Sequence, residues 1–154
     1  MALFNVRVYG ILIDNQERLL VSDEYIRGAY ITKLPGGGLE IGEGTREGLA
    51  REFMEEANLP ITVGEHFYTT DFFQISAFNN TDQIISIYYL VHSDKTETIK
   101  AKEKAFDFLP EQVADAKGTA EHLRWVPLSE LTEETMTLPI DKVAIKLLLS
   151  KSKF

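Results

Sequence analysis

In the stretch "LPGGGLEIGEGTREGLAREFMEEANLPI", from Leu34 to Ile61, three successive glycines precede a helical segment that carries Glu52, Glu55 and Glu56 near its end. Neither feature helps folding by itself. Glycine raises the backbone entropy lost on folding. Carboxylates spaced three and four apart on a helix repel by roughly 0.2–0.5 kcal/mol per pair, and near the C-terminus they also oppose the macrodipole. The three acids fall within an arc of about 100° on a helical wheel, with Leu49, Ala50, Phe53 and Ala57 on the other side. One face can therefore be core while the other gathers carboxylates. A Glu-rich face is ordinarily just solvated. Here the acids converge instead of alternating with lysine, and a glycine-rich loop containing Pro35 can turn backbone carbonyls toward the same place. Hard cations such as Mg²⁺ take carboxylate and carbonyl oxygens and bind phosphates.

The elements that must position these residues can be read coarsely. "NVRVYGILID" is a strand, "DNQ" at 14–16 a turn and "ERLLVSD" a returning strand, so 5–22 is expected to be a hairpin. "AYITKLPGG" is a short strand ended by Pro35 and the glycines. The helix is expected over 45–57, with Thr45 capping its start. Asn58 and Leu59-Pro60 stop it, because Asn tolerates a left-handed backbone. "EHFYTTDFFQISAF" and "QIISIYYLVHS" form a second expected hairpin, separated by "NNTD". The polar segment 94–118 has no clean period and reads as irregular or partly helical. "EHLRWVPL" is a strand and "LSEL" begins a helical turn. The tail "LPIDKVAIKLLLSK" places Ile140, Val143, Ala144, Leu147 and Leu148 on one helical face, with Pro139 in its first turn. Mixed strands and two main helices predict an α/β fold with helices on both faces of a sheet.

Composition narrows the class. The length of 154 residues suits one domain. No apolar run is long enough for a membrane span, and "MALFNVRVYG" lacks the pattern of a signal peptide. The chain has no cysteine, which excludes disulfides, thiolate metal sites and a cysteine nucleophile and agrees with a cytoplasmic setting. The net charge of -8 argues against a nucleic-acid polymer as partner, since backbone binding needs clustered Lys and Arg. An acidic chain can still take an anionic small molecule if a metal supplies positive charge. A homodimer is compatible with the sequence, which does not fix the oligomeric state. P-loop, H-E-x-x-H and G-x-S-x-G motifs are absent.

The stretch resembles the Nudix box, G-x5-E-x7-R-E-U-x-E-E-x-G-U, with U a bulky aliphatic residue. Gly37, Glu43, Arg51-Glu52, Phe53, Glu55-Glu56, Asn58 and Leu59 occupy its positions in order. Phe53 stands where the pattern has an aliphatic residue, and Asn58 where it has glycine. Asn is the other common residue at a left-handed helix end, so the turn is expected to survive. A match of this quality arises by chance in about one chain in ten thousand or fewer. The order of elements outside the box is similar to the family's as well.

The resemblance implies a Nudix-like α/β/α sandwich with a mixed β-sheet, a single domain over 1–154, and hydrolysis of a nucleoside diphosphate linked to another group, assisted by Mg²⁺ or Mn²⁺. By matching position it implies Glu52, Glu55 and Glu56 as metal ligands, with the Gly36 carbonyl completing the site. Glu52 is the first choice of general base among closely coupled carboxylates. Arg51 and Glu43 match an orienting ion pair, and Glu40 and Gly37 support the loop behind it. Glu121 is the expected acidic ligand from outside the box, with Glu103 and Glu111 as rivals. His66, His92 and His122 have ordinary surface or strand readings. Tyr88, Tyr89, Phe72 and Phe73 are by default core or strand aromatics. Phe106 or Phe108 could meet substrate, and Lys33, Lys102 and Lys104 could meet phosphates.

Substrate-binding residues are not legible in this sequence. Marks associated with ADP-ribose, dinucleoside polyphosphate, NADH and coenzyme A substrates are missing, which leaves a nucleoside triphosphate, intact or damaged, as the first expectation. A nucleotide sugar or ADP-ribose is the alternative. A non-catalytic nucleotide sensor is the rival class, but sensors typically lose box residues that this chain keeps.

Overall fold

In chain order the elements are β1 (Phe4–Leu12), β2 (Arg18–Ile26), β3 (Ala29–Lys33), β4 (Gly36–Gly38), α1 (Thr45–Ala57), β5 (Thr62–Thr69), β6 (Gln83–His92), β7 (Ala101–Lys102), β8 (Thr119–Pro127) and α2 (Pro139–Ser150). The structure, a computed structural model, describes residues 1–151. They divide into two compact units: Met1–Leu12 with Pro35–Thr98, and Ile13–Leu34 with the chain from Ile99 on.

The first unit holds a sheet of order β4-β1-β6-β5 and the helix α1. β1 runs parallel to β6, and the other two pairings are antiparallel. Val8, Tyr88, Leu49 and Phe53 are fully buried in this unit. Gly10 makes room for Phe53, because a Cβ on Gly10 would stand 2.6 Å from the Phe53 ring. The free edge of β5 is blunted by Arg46, whose Nη1 donates to the carbonyls of Val63 at 2.9 Å and Gly64 at 2.8 Å.

The second unit holds a sheet of order β3-β2-β8-β7 and the helix α2. Here only the short β7–β8 pairing is parallel. The edge of β3 is covered at Thr32, whose N–H donates to Thr137 Oγ1 at 2.8 Å and whose carbonyl accepts from Thr137 N–H at 3.0 Å. The buried face of α2 is Ile140, Asp141, Ala144, Ile145 and Leu148. It is rotated from the expected stripe, with Val143 and Leu147 only half-buried.

The α/β class with mixed sheets is as expected, but the strands form two four-stranded sheets. The 5–22 hairpin does not form. Its turn does: Asp14 Oδ1 accepts from Gln16 and Arg18 N–H, and one bridge joins Ile13 to Leu19. Beyond that bridge the strands part, because each satisfies its whole length elsewhere, β1 along β6 and β2 along β8. The second hairpin is present as β5–β6, but the connection is much longer than "NNTD", since β5 ends at Thr69 and β6 begins at Gln83. The three glycines, expected to end a strand, are themselves β4. The irregular reading of 94–118 holds, with 3₁₀ turns at Thr96–Thr98 and Pro110–Gln112 around the two-residue β7.

Candidate active site

Helix α1 has the expected bounds but not the expected cap. The N-cap is Gly44, whose N–H donates to Glu47 Oε1 at 3.0 Å. Thr45 is already helical, and its hydroxyl bonds the Tyr89 hydroxyl at 2.7 Å. At the other end Asn58 takes the left-handed conformation, φ 49 and ψ 43, and its N–H returns to the Met54 carbonyl. The departure from glycine at that position is accommodated as expected.

Strand β4 is the other wall of the site. In its ladder Gly10 N–H donates to the Pro35 carbonyl and Leu39 N–H to the Val6 carbonyl. The antiparallel alternation therefore directs the main-chain groups of Gly36 and Gly38 away from β1. Both are used there: Gly36 N–H donates to Glu56 Oε2 at 3.0 Å, and the Gly38 carbonyl accepts from Arg51 Nη2 at 3.2 Å. Side chains are excluded at two of the glycines. At Gly36, with φ +146, a Cβ would overlap the Val8 carbonyl. At Gly37 it would stand 2.6 Å from Glu52 Oε1.

Arg51 organises the carboxylates. It grips Glu43 with two nitrogens, Nε at 3.0 Å and Nη2 at 2.6 Å, and places Nη1 at 3.2 Å from both Glu52 and Glu55. Glu40 completes the ring at 3.4 Å. This two-nitrogen grip, with a further bond from Glu40 N–H, lowers the Glu43 carboxyl from 4.5 to about 2. The same partner raises Arg51 above its ordinary value. Gly48 serves this arrangement too. A glycine inside a helix costs about 1 kcal/mol relative to alanine, yet a Cβ at Gly48 would lie 2.8 Å from Glu43 Oε1.

The sequence-expected residues thus divide. Arg51 brings Glu40, Glu43, Glu52 and Glu55 together, and Glu56 is held by Gly36. Glu121 lies in the second unit on β8, opposite Glu24 of β2 in the register. Their carboxylate oxygens come within 4.8 Å of each other. Glu24 is buried, accepting from Ser22 Oγ at 3.1 Å and facing Lys33 Nζ at 3.2 Å. Glu24 escaped the sequence reading, although an acid inside the apolar run "LLVSDEYI" was a signal. Glu103 and Glu111 are exposed. Lys33 is committed to Glu24, and Lys102 donates to the Asp107 carbonyl. Among the histidines, His66 bonds Thr69, His122 accepts from Asp107 N–H, and His92 lines a cavity of about 660 Å³ with Pro60, Thr62 and Lys95.

The run "LLVSDEYI" also holds Asp23, a second acid outside the sequence expectation. It is fully buried, held by Arg124 at 2.6 and 3.0 Å and by Thr32 Oγ1 at 2.7 Å. It also accepts from the N–H of Phe106, a residue with φ 53.

The NUDIX domain model matches residues 3–148. The chain belongs to the Nudix family. It is therefore a hydrolase acting on pyrophosphate bonds, and its fold matches solved Nudix hydrolases. The MutT protein from Methanosarcina mazei Go1 superposes with a TM-score of 0.66 at 19% identity, covering 99% of this chain and 98% of that one. A NUDIX hydrolase from Nitrosomonas europaea gives 0.63 at 19% identity, covering 97% and 91%. A UDP-X diphosphatase gives 0.55 at 14% identity, covering 97% of this chain and 64% of that one. No curated protein matches the sequence. Nudix hydrolases generally use divalent metals and act on small nucleotide substrates. No helix among the described residues is long and apolar enough to cross a membrane.

Proposed function

We propose that this Nudix hydrolase is a Mg²⁺- or Mn²⁺-dependent pyrophosphohydrolase whose substrate is a nucleoside triphosphate, intact or damaged. The observation that carries the reading is the arrangement of Arg51, Glu52, Glu55 and Glu56 against a glycine strand that admits no side chain at Gly36 or Gly37. The donor set is entirely hard oxygen, which suits Mg²⁺ better than a softer metal. Glu52, Glu55, Glu56 and the Gly36 carbonyl would hold the ion. When bound, it would supply charge neutralisation for the diphosphate and an acidified water.

The chain's own residues do the rest. Gly36 N–H fixes Glu56, and Arg51 fixes Glu52 and Glu55 while Glu43, Glu40 and Gly37 hold the loop. Glu52 takes the proton of the attacking water. The new bond joins that water oxygen to phosphorus, and the anhydride P–O bond between the α- and β-phosphates breaks, so that the products are the nucleoside monophosphate and pyrophosphate. Glu121 is carried as a further ligand on the sequence expectation, and its proximity to buried Glu24 supports this, since two facing carboxylates gain from a shared cation. The NUDIX match from 3 to 148 supports reading the chain as one hydrolase domain. A cytoplasmic setting agrees with the absence of cysteine.

The test is a panel of nucleoside triphosphates, oxidised dGTP, ADP-ribose and nucleotide sugars, incubated with about 5 mM Mg²⁺ or with EDTA and resolved by chromatography. Metal-dependent release of a nucleoside monophosphate from the triphosphates is the expected result. The UDP-X diphosphatase among the structural neighbours keeps nucleotide sugars in the panel, and cleavage confined to them would replace the triphosphate reading. Nucleotide binding without any cleavage would refute the proposed activity.

A further inference from the structure

We propose that Arg7 is a diphosphate-binding residue of this site, an assignment that rests on the hydrolase reading above. Arg7 and Gly38 are register partners in the β1–β4 ladder. Side chains alternate along β1, and Gly10 meets Phe53 of α1, so Arg7 and Tyr9 belong to the opposite face of the sheet. On that face Arg7 Nε donates to the Tyr9 hydroxyl at 2.6 Å, and its guanidinium carbon stands 5.7 Å from the Tyr9 ring centroid. Tyr9 in turn stacks on the fully buried Tyr88 at 5.4 Å. The guanidinium is thus held through its Nε against a packed aromatic pair, so little side-chain freedom is lost when it meets a ligand.

Its surroundings suit an anion near the box. Gly38 contributes no side chain over the guanidinium: a Cβ there would lie 3.7 Å from Arg7 Nη1 and 3.8 Å from Asn5 Oδ1. The Gly38 carbonyl is the group that Arg51 Nη2 touches, so Arg7 stands one glycine away from the carboxylate clamp. A planar guanidinium fork matches phosphate oxygens better than any other side chain. In a chain of net charge -8, a fixed cation across the strand pair from Gly38 lowers the repulsion an incoming diphosphate would meet.

The experiment is calorimetric titration of three probes at about 5 mM Mg²⁺: α,β-methylene ADP, inorganic diphosphate and adenosine. The proteins are the full chain, Arg7→Met, Arg7→Lys and Gly38→Leu. The last leaves Arg7 in place but lays a side chain over it, and it serves if Arg7→Met fails to fold by circular dichroism. Arg7→Met should weaken both diphosphate probes by about tenfold or more and leave adenosine unchanged. Arg7→Lys should recover part of the loss, and Gly38→Leu should reproduce it. Unchanged diphosphate binding in Arg7→Met, an equal loss for adenosine, or no diphosphate binding by the unaltered chain would each overturn the assignment. Arg7-dependent binding without cleavage of any panel substrate would sink the proposed activity and uphold Arg7.

Discussion

Gly10→Ala probes how the box helix is seated. A Cβ at Gly10 would stand 2.6 and 2.9 Å from two ring carbons of Phe53 and 3.2 Å from a Val91 methyl. Carbon atoms pack at about 3.5–4.0 Å, so the ring must retreat by about 1 Å. Phe53 is fully buried and has no solvent to retreat into. Overpacking of this kind costs about 1–3 kcal/mol. Alanine restricts the unfolded chain and returns about 0.4–1 kcal/mol, which leaves a net loss of about 1–2 kcal/mol. Phe53→Leu restores the aliphatic residue of the box pattern and vacates the space the new methyl needs. Urea unfolding of the four chains in this double-mutant cycle should therefore show the second substitution rescuing the first by about 1 kcal/mol. Activity should follow the same order, because Glu52 and Glu56 ride on the displaced helix and a shift of about 1 Å can cost about a hundredfold. Additive losses, or a Gly10→Ala chain as stable as the original, would refute this account of why Phe53 is tolerated.

Glu56→Gln keeps an oxygen for Gly36 N–H, so it should unfold near the original temperature yet lose about a hundredfold or more in Mg²⁺-dependent turnover. Substituting Arg51→Lys removes the two-nitrogen grip on Glu43, and steady-state kinetics should show a fall of about tenfold to a hundredfold with little change in helix content by circular dichroism. The Glu43 carboxyl is held at about 2, below its ordinary 4.5. Its contribution is therefore fully present above about pH 4.5 and is lost as pH falls toward 2. The stability gap between the original chain and Glu43→Gln should close over that interval, and a gap constant with pH would contradict the ion-pair assignment. Mg²⁺ at a hundred times its dissociation constant should stabilise the fold by about 2.7 kcal/mol, or about 5–10 °C in a thermal melt, and this gain should vanish in Glu56→Gln.

What could be read from the sequence was what is encoded at short spacing. Thirteen consecutive positions sufficed to place Glu52, Glu55 and Glu56 opposite Leu49 and Phe53, because a helix's geometry follows from its own residues. The left-handed Asn58 was equally local. Most of the failures are long-range. Nothing near "GGG" announces that the glycines pair with Arg7, Val8 and Tyr9, and an adjacent turn made a hairpin between β1 and β2 look better than the parallel partner β6. One difference is local: Thr45 reads as a cap because its hydroxyl can accept from the first turn, whereas the bond made there runs from the Gly44 main chain to Glu47. Buried polar groups are again long-range: Asp23 finds Arg124, and Glu24 finds Glu121, only once β2 and β8 are aligned. The box motif is legible because its residues share one helix and one loop. Arg7 is the opposite case. As a lone arginine in "NVRVYG" it says nothing, and its meaning comes entirely from standing across from Gly38.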